Sequence, residues 1–214
     1  MNSRTEKLML QGSAGAIEAL RDAPAEGTRP QGIAVIAHPH PLFGGTMDNK
    51  VVQTLARAFV ASGWTALRFN FRGVGGSEGV HDEGRGETED LLGVIEQAAP
   101  EGPLAISGFS FGAFVAASAL ARLWSEREIR QIVLVGTAAA RFQVADVPPE
   151  AHDRTLVVHG EHDDTVPLAA AMDWARPQIL PVTVVPGGGH FFHGQLPLLK
   201  NLVSRHLRAD ERPS

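Results

Sequence analysis

The stretch Leu104-Ala-Ile-Ser-Gly-Phe-Ser110-Phe-Gly-Ala-Phe-Val-Ala-Ala-Ser-Ala-Leu-Ala-Arg-Leu123 decides how the rest of the chain is read. Its opening residues, Leu104–Ser107, form a short apolar run that predicts a buried strand. The small, helix-favouring residues of Ala113–Leu123 predict a helix. Between them Gly108–Gly112 reads G-x-S-x-G. A serine on so sharp a strand-to-helix turn has its hydroxyl lifted out of the sheet, with a helix N-terminus aimed at any oxyanion that develops beside it. Glycines flank it because side chains there would collide with the turn. Ser110 is thus the candidate nucleophile. The same pattern recurs at Gly75-Gly-Ser77-Glu-Gly79, but Arg72-Gly-Val-Gly-Gly precedes it and a charged loop follows. Ser77 is expected to be a loop serine near the mouth of the site.

Working outward, short apolar runs alternate with helical patterns. Lys7–Leu10 and Ala16–Leu20 predict a hairpin at one edge of a sheet. Gly32–Ala37 (GIAVIA) is continuously apolar, as a strand buried on both faces should be. Asn49–Ser62 carries Val52, Leu55, Ala56 and Phe59 at helical spacing and stops at Gly63. Further strands are predicted at Trp64–Phe69, Ile132–Val135, Leu156–His159 and Val182–Val185, and helices at Glu87–Ala98, near Leu168–Arg176 and near Gln195–Leu207. This alternation predicts an α/β protein, a mainly parallel central sheet with helices on both faces. Loose segments are expected at Gly73–Gly86, Arg141–Asp153 and Ala209–Ser214. None is long enough to lead to a second domain, so residues 1–214 are read as one.

Composition excludes several functions. Lys+Arg 19 against Asp+Glu 24 gives a net charge of −5, which argues against a basic nucleic-acid footprint, and no polybasic run is present to bind an anionic membrane. With no cysteine there is no disulfide frame, thiol nucleophile or thiolate metal site. The polar start, Met1-Asn-Ser-Arg-Thr-Glu-Lys7, does not read as a secretion signal, and no apolar run reaches the roughly 18 residues of a membrane span. A cytoplasmic location is expected.

A serine hydroxyl needs a base to take its proton, and the base needs a carboxylate to fix its tautomer. On an elbow of this kind the acid and then the histidine follow the serine in the chain. Six histidines follow Ser110. His206 falls in the last helix among arginines, His152 in a polar loop, and His159 at the end of an apolar strand where a buried structural histidine is the simpler reading. His190 follows a strand and the flexible Pro186-Gly-Gly-Gly. It is favoured over His193, which is expected in the first turn of the final helix. For the acid, Glu161, Asp163 and Asp164 share one turn; Asp163 is favoured, with Asp164 a possible cap for the helix that Pro167 opens.

Gly108-Phe-Ser-Phe-Gly112, His159-Gly-x-x-Asp163-x-x-Val-Pro167 and Gly189-His190 resemble the elbow, acid and histidine loops of the serine α/β-hydrolases. His38-Pro-His-Pro-Leu-Phe-Gly-Gly-Thr-Met-Asp-Asn49 and Phe69-Asn-Phe-Arg-Gly-Val-Gly-Gly-Ser-Glu-Gly79 resemble a small branch of that superfamily described as lacking a helical lid. The resemblance spans nearly the whole chain. It implies a triad of Ser110, Asp163 and His190, with no cofactor and no metal. It also implies an oxyanion hole formed by the N–H of Phe111 and one from the loop after Gly32–Ala37. Prolines lack an N–H, so His38, His40 and Leu42 are the possible donors there, and His40 is chosen by its position. Only Gly136–Arg154 occupies the place of a lid, which implies an open, shallow site for small acyl groups.

The expected activity is that of a carboxylesterase on a small-molecule ester, by way of an acyl-enzyme. A thioesterase or amidase would use the same triad. Two other classes compete: a metal hydrolase with imidazoles from His38-x-His40 and His159-x-x-His162 and carboxylates from Asp163 and Asp164, and a non-enzymatic binding protein that keeps the pocket.

Overall fold

A computed structural model describes residues 5–209. Met1–Arg4 of the polar start and residues 210–214 of the expected loose tail lie outside the described residues. Among the described residues, eight strands form one sheet: β1 (Thr5–Gly12), β2 (Gly15–Asp22), β3 (Gly32–Ala37), β4 (Trp64–Phe69), β5 (Leu104–Phe109), β6 (Ile129–Val135), β7 (Thr155–Gly160) and β8 (Val182–Val185). Their order across the sheet is β1-β2-β4-β3-β5-β6-β7-β8. β3 to β8 run parallel, while the β1–β2 hairpin adds antiparallel to the outer side of β4. The helices are α1 (Lys50–Ala61), α2 (Arg85–Ala98), α3 (Phe111–Leu123), α4 (Leu168–Ala175) and α5 (Leu196–Ala209).

The continuous apolar strands are buried on both faces for a visible reason. On β3, Val35 and Ala37 face one core with Ile106 of β5, Leu134 of β6 and the small residues of α3. Ala34 and Ile36 face the other, with Val52, Leu55 and Phe59 of α1 and Leu199 and Val203 of α5. Burying a Val, Leu, Ile or Phe side chain stabilises the fold by about 1.5–3 kcal/mol, so these two layers fix which way each helix turns. Among the described residues no helix is long and apolar enough to cross a membrane.

Local chemistry sets the ends of the elements. The Asn49 side chain accepts from the Val51 N–H at 2.8 Å and so caps the start of α1. Helix α2 starts two residues before Glu87, because that side chain reaches back to the Gly84 N–H at 2.8 Å. Asp164 caps nothing: Pro167 occupies the N-cap of α4 with no side-chain hydrogen bond there, and Asp164 is exposed. His193 is not in α5, which begins at Leu196 after a turn through Gly194 at φ 75°. Trp124 caps the far end of α3, beneath Arg154 and away from the elbow.

The strand order reverses about β3: β4 lies on one side of it and β5 on the other. In open parallel sheets such a switch opens a crevice at the carboxyl ends of the strands. The loops after β3 and β5 meet there.

Candidate active site

Ser110 sits between β5 and α3 at φ 58° and ψ −116°, a conformation L-residues rarely adopt. Its backbone is held there by the Ser110 N–H donating to Val135 O at 2.8 Å, and by Ala113 and Phe114 donating back to Ser110 O. The two flanking glycines are a steric requirement. A Cβ on Gly108 would run into the Gly112 carbonyl, and one on Gly112 would meet the carbonyl oxygens of Ala37 and His38. The elbow is thus pressed directly against the end of β3.

The acid and the histidine come from the loops after β7 and β8. Asp163 Oδ1 accepts from the N–H groups of Val166 at 2.7 Å and Thr165 at 3.0 Å. Its Oδ2 accepts from His190 Nδ1 at 2.7 Å, and His190 Nε2 lies 3.0 Å from Ser110 Oγ. With a carboxylate at Nδ1, the proton rests there, so Nε2 presents its lone pair to the serine hydroxyl. Burial pushes the Asp163 carboxyl up. The hydrogen bonds from His190 and Val166, together with the charges of the His190 and His159 imidazoles, outweigh that and leave it below the ordinary aspartate value. His159 is fully buried and donates from Nε2 to Val166 O at 2.8 Å, with Asp163 Oδ2 at 3.5 Å. It supports the acid's loop and does not face the serine.

The glycine run before His190 is pinned. His162 N–H donates to Gly188 O at 2.8 Å, Glu161 N–H to Val185 O at 3.0 Å, and Gly187 N–H to the Glu161 carboxylate at 2.8 Å. Gly160 admits the Gly188 carbonyl so closely that a Cβ there would clash with it. Phe192, fully buried, anchors the far side of the loop in the α1–α5 core.

Of the other residues singled out, Ser77 is buried, 6% exposed, and not at the mouth. Its Oγ donates to Asn70 O at 2.7 Å and accepts from the Glu18 N–H at 2.9 Å, tying the β4 loop to β2. His38 is also internal: Nδ1 donates to Pro39 O at 2.6 Å and Nε2 accepts from the Phe71 N–H at 3.0 Å. Burial lowers its pKa to about 4. His40 Nδ1 accepts from the Leu42 N–H at 3.2 Å. The His38-x-His40 imidazoles are therefore bonded to backbone and do not converge, and among the described residues no group of three or more His, Asp or Glu is disposed to hold a metal.

A cavity of about 320 Å³ opens over Ser110 and His190. Pro39, His40, Phe43 and Asn49 wall it on the β3 side, and Arg141, Thr165 and Phe191 on the other. Phe191 is 43% exposed at this rim, while its neighbour Phe192 is buried, so only one of that pair borders the site. The segment between β6 and β7 contains a 3₁₀ turn at Pro149–Arg154 and, among the described residues, no helical lid. Arg141 on that segment lies over the Phe43 ring, its guanidinium carbon 5.5 Å from the centroid. Phe43, Asn49, Arg141 and Thr165 are not among the site residues read from the sequence, because loop side chains acquire a common neighbour only through the topology. The Phe43 position within the Pro41-Leu-Phe-Gly44 turn was the one available hint.

The first-turn N–H of Phe111 has no intrahelical acceptor. His40, at the start of the turn after β3, packs its ring 4.8 Å from that of Phe111. These two positions flank Ser110 from the two loops that meet at the switch point.

A family model for the α/β hydrolase fold matches residues 40–154. Among solved structures, an α/β serine hydrolase without a lid from Xanthomonas campestris is 34% identical, with 100% of this chain and 98% of that one covered at a TM-score of 0.87. An α/β serine hydrolase homologue from Coxiella burnetii is 37% identical over 94% of this chain and 97% of that one, at a TM-score of 0.80. An uncharacterised protein of Rickettsia prowazekii is 46% identical over 97 residues, so 43% of this chain matches 41% of the length of that curated relative.

Proposed function

The chain belongs to the lidless α/β serine hydrolases, and from that membership we propose that it is a carboxylesterase acting on small esters through Ser110, His190 and Asp163. The observation that carries this reading is the unbroken relay of 3.0 Å from Ser110 Oγ to His190 Nε2 and 2.7 Å from His190 Nδ1 to Asp163, opening on the cavity.

In this mechanism Ser110 Oγ attacks the ester carbonyl carbon as its proton passes to His190 Nε2. The carbonyl π electrons move onto oxygen, and the N–H groups of Phe111 and His40 receive that oxyanion. Asp163 holds the imidazole in the required tautomer and stabilises the imidazolium. The tetrahedral adduct collapses, the carbon–alkoxy bond breaks, and His190 hands its proton to the departing alcohol. Water, deprotonated by the same Nε2, attacks the acyl-enzyme, and the second collapse returns Ser110 and a carboxylic acid. Donors aimed at the oxyanion contribute about 10²–10³-fold each, so the elbow geometry matters as much as the nucleophile.

The test is fluorophosphonate labelling of wild type, Ser110→Ala and Ser77→Ala, with turnover of p-nitrophenyl acetate and butyrate followed in parallel. Labelling and turnover should vanish in Ser110→Ala and persist in Ser77→Ala. A folded wild type that neither labels nor turns over ester would overturn the reading and favour a binding protein on this fold.

A further inference from the structure

We propose that Arg141 is an anion receptor at the mouth of the site, so that the esters this protein takes carry a carboxylate or a phosphate. The proposal rests on the esterase reading and narrows it to a substrate class. Three observations carry it. The chain is acidic overall, at −5, yet among the described residues no carboxylate lines the cavity over Ser110, and Arg141 is the charged side chain on its wall. Arg68, Arg72 and Arg176 are held by acids, Asp22 at 2.9 Å, Asp90 at 2.7 Å and Asp173 at 2.6 Å, while Arg127 and Arg154 donate to the backbone carbonyls of Ala99 and Ile129. The Arg141 guanidinium has no such partner among the described residues and rests over the face of Phe43, itself 72% exposed.

That placement suits recognition. A guanidinium lying against an aromatic face keeps its N–H donors directed outward in its own plane, where a carboxylate or phosphate can be met by two parallel hydrogen bonds. The two residues come from different loops, Phe43 after β3 and Arg141 after β6, so the ring holds the cation at the cavity edge. Asn49, on the wall that carries Phe43, adds a second donor to the cavity. Its Oδ1 is taken by the Val51 N–H at 2.8 Å, which leaves its amide NH₂ for a ligand. The charge is felt locally: burial lowers the His40 pKa, His81 and Arg141 add to that, and Glu87 opposes it.

Para-substituted phenyl acetates test the idea with one scissile bond and four charges: 4-acetoxybenzoate, 4-acetoxyphenyl phosphate, neutral 4-methylphenyl acetate and cationic 4-acetoxy-N,N,N-trimethylanilinium. Each kcat/KM is divided by the hydroxide-catalysed rate to remove differences in leaving group. Wild type should favour an anionic ester over the neutral one by about tenfold, the scale of one hydrogen bond to a charged group. The ratio should fall towards one in Arg141→Ala, and Arg141→Glu should favour the cation. The carboxylate and phosphate arms identify which anion is preferred. A wild type that hydrolyses the neutral ester with a ratio near one, or a ratio that survives in Arg141→Ala, overturns the proposal. Should no ester turn over and no fluorophosphonate label appear, the esterase reading fails separately. Calorimetric binding of 4-acetoxybenzoate to Ser110→Ala then decides the receptor: binding abolished by adding Arg141→Ala supports it, and absence of binding overturns it.

Discussion

His38 gives the fold an acid-labile joint whose size can be worked out. Its ring is fully buried against Phe71, with Nδ1–H on Pro39 O and the Nε2 lone pair on the Phe71 N–H. A second proton at Nε2 would face that N–H and break the bond. Burial holds the imidazole pKa at about 4, against 6.5 for an ordinary histidine. Between these values the unfolded chain binds a proton that the folded chain refuses. The stabilisation is therefore whole above pH 6.5 and is lost as pH falls towards 4. At about 1.4 kcal/mol per unit the full loss is about 3–4 kcal/mol, most of it gone by pH 4.5. Against a typical stability of about 5–15 kcal/mol this is a substantial share. Urea unfolding of wild type and His38→Gln at pH 7, 6, 5 and 4.5 isolates it. The variant should be the less stable at pH 7 and should lose about 2–3 kcal/mol less between pH 7 and 4.5. An NMR titration of the His38 ring should find its midpoint near 4. Parallel loss of stability in both proteins, or a His38 midpoint near 6.5, would refute the reasoning.

Three other outcomes are expected. Asp163→Asn should keep the fold but lower kcat by about 10⁴-fold, because an amide no longer fixes the His190 tautomer; stopped assays with p-nitrophenyl acetate read this directly. Gly112→Ala should lose more activity than a methyl group suggests and destabilise the protein by about 1–3 kcal/mol, since the new Cβ meets the carbonyls of Ala37 and His38; thermal melts alongside fluorophosphonate labelling check both parts. Ser77→Ala leaves the Glu18 N–H without its acceptor and should cost about 1–3 kcal/mol in urea unfolding, while Ser110 still labels.

The fold was most legible where glycine and proline punctuate an apolar run. Gly32–Ala37, Trp64–Phe69 and Val182–Val185 match the structure residue for residue. Legibility failed where hydrogen bonding extends an element past its apolar core. The edge hairpin gains residues at both ends of both strands, β6 starts at Ile129 despite the polar Arg130, and β5 runs on through Gly108 and Phe109 into the elbow. Ser110, His190 and Asp163 converge as chain order and loop position suggested. An error came where local chemistry was asked to decide exposure: Ser77 sits in a charged loop yet is buried. Arg141 carries no pattern and Phe43 only its place in the Pro41–Gly44 turn; the strand order makes them neighbours.

The hydrogen bonds between the loops after β7 and β8 have a mechanical consequence. Acid and base are carried on one stitched unit, with His162 bonded to Gly188 and Glu161 bonded to both Val185 and Gly187. The nucleophile rides on another, clamped between β3 and β6 by Gly112 and the Ser110–Val135 bond. The site is thus a two-part latch, joined across the 3.0 Å gap between Ser110 and His190 and by the Phe109 ring against His190 and Phe191. Warming or mild denaturant should open that gap first, disarming the serine while the His190–Asp163 pair stays closed.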